Sequence, residues 1–294
     1  MIKKGVYAAG LSVLNNDFSL NIDATIRHAE NIIQEGLHGV FFFGSTGQSQ
    51  LISLSEKKEL ISKISSNKLR KHFFLGTGCN SLKDTIDLIK YSYEFNFDTF
   101  LIMPPAYYKG NTDQGVFKFY SLLIDKIPKI KIILYNFEKL SGYKFSEKAV
   151  RNLVEKFPKN IKGCKDSSYN LFQTLKIKDF LMFPGSEAKL LKGLELGCDG
   201  CISAVTNVTH SLARKVFDDF VNKKTQSKNE KLVFVREAFD EFNLISSLHS
   251  YMGKSDKNFL NLLPPLITLN DEDKKKLIDK LSKLNFNSKK DRAA

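Results

Sequence analysis

Short runs of apolar residues alternate along the chain with segments in which apolar residues recur every three or four positions. The run Val-Phe-Phe-Phe at residues 40–43, for example, is followed by Gly-Ser-Thr-Gly and then, from Ser55, by the apolar spacing of a helix. A continuous apolar run is typical of a strand that is buried on both faces. The pattern therefore predicts repeated strand–loop–helix units.

Eight such units follow one another within the first 224 residues. The predicted strands cover residues 5–14, 40–43, 73–75, 99–103, 131–135, 161–165, 180–183 and 200–204. The predicted helices cover residues 23–35 (with Asp23 as the cap), 81–95 and 169–178, one that ends at 196, and others that begin near 55, 112, 146 and 209. Eight units favour a closed (β/α)8 TIM barrel over an open doubly wound sheet, and no Gly-x-Gly-x-x-Gly follows the first strand to indicate dinucleotide binding.

The residues after the eighth unit predict extra helices without a sheet of their own. We expect a barrel over residues 1–224 and a C-terminal helical appendage over residues 225–294 that packs on it. An irregular apolar link is expected at residues 260–265. The length of 294 residues is compatible with a single α/β barrel of this kind.

The composition is that of a globular protein with a strongly basic charge balance. Hydrophobic residues make up 42% of the chain and charged residues 26%, and the formal net charge is +13 at pH 7. The excess lysines are spread over predicted helix faces, with no basic stripe interleaved with aromatic residues such as binds single-stranded nucleic acid. We therefore expect a solvated lysine-rich surface and no nucleic-acid partner.

Neither a membrane nor a metal is indicated as a partner. No run approaches the roughly 18 apolar residues of a membrane span, and residues 1–5 lack the features of a signal peptide. Among the four cysteines, Cys198 and Cys201 have the C-x-x-C form but lack a second pair or nearby histidines. We expect reduced thiols in a cytoplasmic protein.

The ends of the predicted strands carry the candidate chemistry, because active sites of (β/α)8 barrels lie at the C-terminal ends of their strands. Lys165 ends the sixth strand, where partial removal from water favours the neutral amine that can attack a carbonyl. Tyr135 ends the fifth strand, and a hydroxyl beside an amine can transfer protons during imine formation. The residues alone leave two alternatives open, an ion pair between Lys165 and Asp166 and a Tyr135 that only packs the barrel.

A third candidate is the loop Gly-Ser-Thr-Gly at residues 44–47. It offers consecutive backbone N–H groups and the hydroxyls of Ser45 and Thr46, which suit a carboxylate or a phosphate. An ordinary turn between a strand and a helix has the same composition, so this motif alone leaves both readings open.

Together these segments resemble the pyruvate-dependent class I aldolase family that includes dihydrodipicolinate synthase, N-acetylneuraminate lyase and 2-keto-3-deoxygluconate aldolase. The resemblance covers nearly the whole chain in order and spacing. It rests on Gly-Ser-Thr-Gly at residues 44–47, Tyr-Asn at 135–136 with Ser-Gly at 141–142, and Gly-Cys-Lys-Asp-Ser at 163–167.

The resemblance implies roles for these residues. Lys165 is expected to form a covalent imine with pyruvate without a metal or an organic cofactor, and Tyr135 to relay protons. Ser45 and Thr46 are expected to hold the carboxylate of pyruvate. Tyr108 matches a tyrosine that completes the proton relay of a neighbouring subunit in several members, and the family implies a homotetramer, a dimer of dimers.

Departures from the family pattern bear on the substrate. Members that condense aspartate semialdehyde carry an arginine where this chain has Leu140, which argues against dihydrodipicolinate synthesis. Glu138 replaces a common proline, and Gln48 replaces an acidic residue at the end of the carboxylate loop.

Other positions match the sugar-acid members, which place a glycine and an acid in the segment after the seventh strand. The substrate-binding set predicted from the resemblance therefore adds Gly185, Ser186, Glu187 and Ser203 to the carboxylate loop. We expect reversible cleavage of a 2-keto-3-deoxy sugar acid, similar to 2-keto-3-deoxygluconate, into pyruvate and an aldehyde. The alternatives are N-acetylneuraminate cleavage, a related keto-acid dehydratase or dihydrodipicolinate synthase-like reaction, and a barrel that binds a keto acid without turning it over.

Overall fold

A computed structural model describes residues 2–288 and contains eight parallel strands arranged as a nearly closed barrel with helices between them. Each strand from β1 to β6 pairs with the next in parallel, and β8 pairs with β1. The strands are β1 Gly5–Ala9, β2 Gly39–Phe42, β3 Phe73–Gly76, β4 Thr99–Ile102, β5 Lys131–Asn136, β6 Ile161–Asp166, β7 Leu181–Pro184 and β8 Gly200–Ser203. The predicted (β/α)8 TIM barrel is confirmed.

Helices surround the barrel and continue beyond it. They are α1 Ile22–Gln34, α2 Leu54–Ser65, α3 Leu82–Glu94, α4 Asp113–Lys126, α5 Glu138–Ser141, α6 Glu147–Lys156, α7 Leu190–Glu195, α8 Thr206–Val221, α9 Asn229–Asp240, α10 Leu244–Met252 and α11 Asp271–Lys283. The extra C-terminal helices are thus present, and the link between α10 and α11 is irregular apart from a 3-10 turn at Lys257–Leu260. The predicted boundary after residue 224 stays a prediction, and residues 289–294 of the expected appendage lie outside the described residues.

Alternation along the strands separates two apolar layers. One side of the strands fills the barrel interior with large side chains, and the other side packs against the helices. The interior cluster consists of Ile2, Tyr7, Phe41, Phe74, Leu101, Ile133, Tyr135, Phe183 and Ile202. Residues at strand ends that share the inward direction therefore face one enclosed space.

Three local predictions were wrong, each for a physical reason. The first strand ends at Ala9 instead of residue 14, because the chain then turns to pair Leu14 with Leu20 in an isolated bridge. The cap of α1 is Asn21, whose side chain accepts a hydrogen bond from the N–H of Ala24, while Asp23 lies in the first turn.

The predicted helix over residues 169–178 is also absent from the structure. The side chain of Asp166 accepts the backbone N–H groups of Tyr169, Leu171 and Phe172 and folds this segment into turns around itself. Tyr169, the first residue of the predicted helix, also has a left-handed backbone with a φ of 60°, which a right-handed helix cannot contain. The apolar spacing of the segment predicts a helix, but the hydrogen bonds to the Asp166 carboxylate determine its shape.

No helix among residues 2–288 is long and apolar enough to cross a membrane. The four cysteines are free thiols. Within the same part of the chain, no group of three or more His, Cys, Asp and Glu side chains is placed to hold a metal ion.

A buried histidine makes the fold sensitive to pH. His249 on α10 is fully buried, its Nδ1 lies 2.7 Å from the carbonyl oxygen of Phe259, and its Nε2 has no hydrogen-bond partner among the described residues. Burial lowers the pKa of His249 from 6.5 to about 4. Below pH 6.5 the unfolded chain therefore binds a proton that the folded chain does not, and the free energy of unfolding falls as the pH drops toward 4.

We predict that His249→Asn, which keeps a donor for the carbonyl of Phe259 but cannot titrate, flattens the loss of stability between pH 7 and pH 5. The shift corresponds to about 3 kcal/mol over its full range, and the urea midpoint measured across this pH range checks it. His72→Asn is the matched control, because the Nδ1 of His72 also bonds a backbone carbonyl outside this buried site. An unchanged pH slope in His249→Asn would contradict the prediction.

Candidate active site

Lys165 and Tyr135 lie side by side at the ends of β6 and β5. They are register partners in the sheet, and Lys165 also pairs with Phe183 on β7. Because Tyr135 and Phe183 belong to the interior cluster, Lys165 faces the barrel interior as well. The side chains are 3% and 4% exposed, and the Nζ of Lys165 lies 4.2 Å from the centroid of the Tyr135 ring.

The amine of Lys165 is not paired with the neighbouring carboxylate. Asp166 points to the opposite side of β6, where its Oδ1 accepts hydrogen bonds from Asn136 Nδ2 at 2.8 Å and from the N–H of Tyr169 at 3.0 Å. Among residues 2–288, no hydrogen-bond acceptor or carboxylate contacts the Nζ of Lys165. The alternative in which Lys165 forms an ion pair with Asp166 is therefore excluded by the geometry.

The hydroxyl of Tyr135 links this amine to the Gly-Ser-Thr-Gly loop at residues 44–47, the loop predicted to hold a carboxylate. Its oxygen lies 2.9 Å from the Oγ of Ser45, which begins the 3-10 turn Ser45–Gly47. Thr46 is buried in the same turn. The structure thus brings Lys165, Tyr135 and Ser45 together, as their places at the strand ends predicted.

Close packing against the extension of β1 fixes the shape of this turn. A Cβ on Gly47 would lie 2.7 Å from the carbonyl oxygen of Gly10, so only glycine fits there. The hydroxyl of Ser12 donates to the carbonyl of Gly47 at 2.7 Å. Gln48 has a left-handed backbone with φ of 55°, and its Oε1 accepts the N–H of Leu263 at 2.8 Å. The chain after α10 therefore supports the carboxylate loop from behind.

Gly185 and Ser186 lie next to the end of β6. The N–H of Gly185 donates to the carbonyl of Asp166 at 2.9 Å, and a Cβ on Gly185 would lie only 2.0 Å from the Oγ of Ser167. Ser186 is buried, and its Oγ accepts the backbone N–H of Ala188 at 3.3 Å. This segment therefore closes one side of the space at the end of β6.

Glu187 and Ser203 hydrogen-bond to each other and to Arg236 on α9. Glu187 is fully buried, and its Oε2 lies 3.1 Å from Nη1 of Arg236 on α9 and accepts the hydroxyl of Ser203. Ser203 pairs in register with Ala8, which belongs to the layer between strands and helices. The structure therefore directs both side chains away from Lys165, and their role as direct ligands of a substrate stays a prediction that would require Glu187 to release Arg236.

The sequence analysis did not identify Arg236 as a candidate functional residue, although its position in α9 contains a signal. It falls on the apolar face of α9 with Leu232, Val235 and Phe239, at the spacing of a buried helix stripe. An arginine on such a stripe needs a buried carboxylate. Burial acts to lower the pKa of Arg236, but the charges of Glu187 and Asp240 outweigh it and raise the pKa above its ordinary value.

Tyr108 stands outside this arrangement within one chain. Tyr107 and Tyr108 are 80% and 76% exposed, and their rings meet edge to face at 5.3 Å. The structure does not bring Tyr108 to Tyr135 in the same chain. Its expected part in a proton relay requires a second copy of the chain and stays a prediction.

Comparison with known proteins identifies a family model and relatives that match this chain. The model of the "Dihydrodipicolinate synthetase family" matches residues 3–284. A 4-hydroxy-tetrahydrodipicolinate synthase of Methanothrix thermoacetophila is 29% identical over 292 residues, covering 96% of this chain and 97% of the relative. A 2-dehydro-3-deoxy-D-gluconate/2-dehydro-3-deoxy-phosphogluconate aldolase of Picrophilus torridus is 25% identical over 251 residues, covering 81% and 92%.

Solved structures share the fold. Dihydrodipicolinate synthase from Agrobacterium tumefaciens superposes with a TM-score of 0.87 at 24% identity, covering 96% of this chain and 99% of that one. A catalytic-lysine mutant of the sialic acid aldolase of Ruminococcus gnavus gives a TM-score of 0.83 at 18% identity, covering 99% and 98%. At these identities the likeness establishes the barrel and leaves the chemistry to the residues described above.

Proposed function

The chain belongs to the dihydrodipicolinate synthetase family, and on that premise we propose that Lys165 is the amine through which it acts on a keto acid. Members of this family are class I, pyruvate-dependent lyases that use a Schiff-base lysine. The chain is therefore an enzyme of this class. What remains to be assigned are its residues and its substrate.

The observation that carries the assignment is the enclosed contact between Lys165 and Tyr135. The Nζ of Lys165 is enclosed and is not hydrogen-bonded to a carboxylate, so it is available to attack a carbonyl carbon. The Tyr135 hydroxyl, hydrogen-bonded to Ser45, lies beside this amine and can move a proton. Ser45 and Thr46 then receive the carboxylate of pyruvate in the loop beside that hydroxyl.

In the proposed reaction the Nζ of Lys165 attacks the C2 carbonyl of the keto acid, and Tyr135 donates its proton as the oxygen leaves as water to give a protonated imine. The Tyr135 phenolate then accepts the proton of the C4 hydroxyl while the C3–C4 bond breaks, and the electrons of that bond move into the imine to give an enamine. After the aldehyde leaves, the Tyr135 hydroxyl protonates C3, and water hydrolyses the imine to free pyruvate and Lys165 while its proton returns to Tyr135. The imine itself is the electron sink, so we propose that no metal or organic cofactor takes part.

For the substrate we propose a 2-keto-3-deoxy sugar acid. Leu140 lies 40% exposed on α5, five residues after Tyr135, so this segment has an apolar side chain where a second carboxylate would need a cation. Gly185 and Ser186 line the space beside β6 with a hydroxyl and no side-chain charge. The Picrophilus torridus relative is named as an aldolase of this type, while several other relatives are named 4-hydroxy-tetrahydrodipicolinate synthase. N-acetylneuraminate cleavage and a related dehydration are the other candidates within the family.

The exposed Tyr107–Tyr108 pair supports an assembled enzyme. We propose that Tyr108 contributes to the site of a second copy within a homotetramer, a dimer of dimers. We also propose that the enzyme is cytoplasmic, which fits the free thiols of its cysteines. The division into a barrel and an appendage at residue 224 is retained as a proposal.

We predict that borohydride reduction in the presence of pyruvate attaches one pyruvyl group per chain and that peptide mass analysis places it on Lys165. Lys165→Met should abolish the adduct. Lys162→Met is the matched control, because Lys162 is on the same strand with its Nζ bound to the carbonyl of Pro158, and it should label like the unsubstituted enzyme. An unmodified Lys165 peptide under saturating pyruvate would refute the assignment.

We predict that, in the condensation direction, the enzyme prefers hydroxylated aldehydes over aspartate semialdehyde, measured as kcat/KM. Leu140→Arg should shift this ratio toward the semialdehyde by about fivefold, the scale of a partly exposed ion pair of about 1 kcal/mol. Leu122→Arg on α4 is the control, because Leu122 has similar exposure outside the site. A native preference for the semialdehyde would overturn the proposed substrate and leave the role of Lys165 untouched.

A further inference from the structure

We propose that Arg236 is a positioning residue that holds the segment Gly185–Glu187 in place for the part of the substrate that leaves as the aldehyde. This inference rests on the proposed function. It makes α9, which lies outside the eight strand–helix units, a working part of the active site.

Helix α9 contacts the segment after β7 through Arg236. This residue is 6% exposed, and its Nη1 donates to Glu187 Oε2 and to Ser203 Oγ, both at 3.1 Å. On its other side, its Nε donates to Asp240 Oδ1 at 2.9 Å. The planar fork of arginine fits both carboxylates at once, an arrangement that lysine cannot reproduce.

Both carboxylate oxygens of Glu187 accept hydrogen bonds from neighbouring side chains. Its Oε2 receives Arg236 and Ser203, and its Oε1 accepts the hydroxyl of Thr209 at 3.2 Å. Thr209 itself has non-helical backbone angles within α8. A carboxylate that is 0% exposed with both oxygens occupied is held as an anchor and does not present a free charge to a substrate.

The segment that contains Glu187 is also hydrogen-bonded to β6 beside Lys165. Two residues before Glu187, Gly185 donates its N–H to the carbonyl of Asp166, the residue that follows Lys165. Gly185 packs so tightly on Ser167 that a Cβ would not fit. The segment therefore has one end fixed on β6 and the other fixed on α9.

Ser186 lies between these two fixed points. It is 3% exposed, and its Oγ accepts the backbone N–H of Ala188 at 3.3 Å. Loss of Arg236 would free Glu187 from α9 and allow Ser186 to move, while Lys165, Tyr135 and Ser45 keep their own contacts. The expected defect therefore falls on the aldehyde and not on pyruvate.

The test uses the full-length enzyme and compares Arg236→Met, Arg236→Lys, Glu187→Gln and the double variant Glu187→Gln with Arg236→Met. The double variant removes both charges, so it remains informative if Arg236→Met alone leaves an unpaired buried carboxylate and folds poorly. Arg214→Met is the matched control, because Arg214 also pairs with an aspartate four residues later and donates to a backbone carbonyl, away from the site. Each enzyme is measured for its melting temperature, for pyruvate-adduct yield on Lys165, and for the KM of the aldehyde and kcat in condensation.

We expect Arg236→Met to raise the KM of the aldehyde at least about tenfold, as displacement of a positioning segment does, with unchanged adduct yield. Arg236→Lys should recover part of this loss. Glu187→Gln should add no more than about twofold in the Arg236→Met background, because both substitutions release the same anchor.

Three outcomes would overturn the inference. The first is an aldehyde KM in Arg236→Met that matches Arg214→Met. The second is an effect of Glu187→Gln that is equal in both backgrounds, which would make Glu187 a direct ligand. The third is a parallel loss of adduct yield and thermal stability, which would make the role structural. Absence of the pyruvate adduct in the unsubstituted enzyme would instead refute the proposed function, so the two failures are distinguishable.

Discussion

The chemistry proposed for this protein depends on one enclosed contact, the amine of Lys165 against the ring face of Tyr135 with no carboxylate bonded to it. Charged groups are rarely enclosed without a partner, because removal from water costs several kcal/mol in real proteins. The chain supplies a carboxylate at the next position, yet the alternation of β6 sends Asp166 to the outer side, where backbone N–H groups occupy it. The same alternation therefore keeps the amine free and shapes the loop that follows it.

The barrel converts this local arrangement into a site. Register pairing places Tyr135, Lys165 and Phe183 in one row, and closure of the barrel brings the turn after β2 across to the hydroxyl of Tyr135. The chain after residue 224 then supports the site from outside, through Leu263 in the irregular link behind the loop at residues 44–47 and through Arg236 on α9 behind the segment after β7. Both ends of the substrate are therefore expected to depend on the appended segment as well as on the barrel.

Much of this could be predicted from the sequence, because its strongest signals are local. Short apolar runs located every strand, and the ends of those runs located Lys165, Tyr135 and Ser45. The helix over residues 169–178 was wrong because a single upstream carboxylate outweighed helical spacing. The reading of Glu187 as a substrate ligand could not foresee Arg236, because their ion pair joins residues 49 positions apart through tertiary packing. Tyr108 needs a second chain, which a single sequence cannot place.

The most direct measurement is a crystal structure of the enzyme soaked with pyruvate at near-neutral pH. The account predicts continuous electron density from the Nζ of Lys165 to C2 of pyruvate, with the carboxylate against Ser45 and Thr46 and the hydroxyl of Tyr135 beside the imine. Pyruvate bound without a covalent link to Lys165, or with its carboxylate directed away from the Ser45–Gly47 turn, would contradict the account.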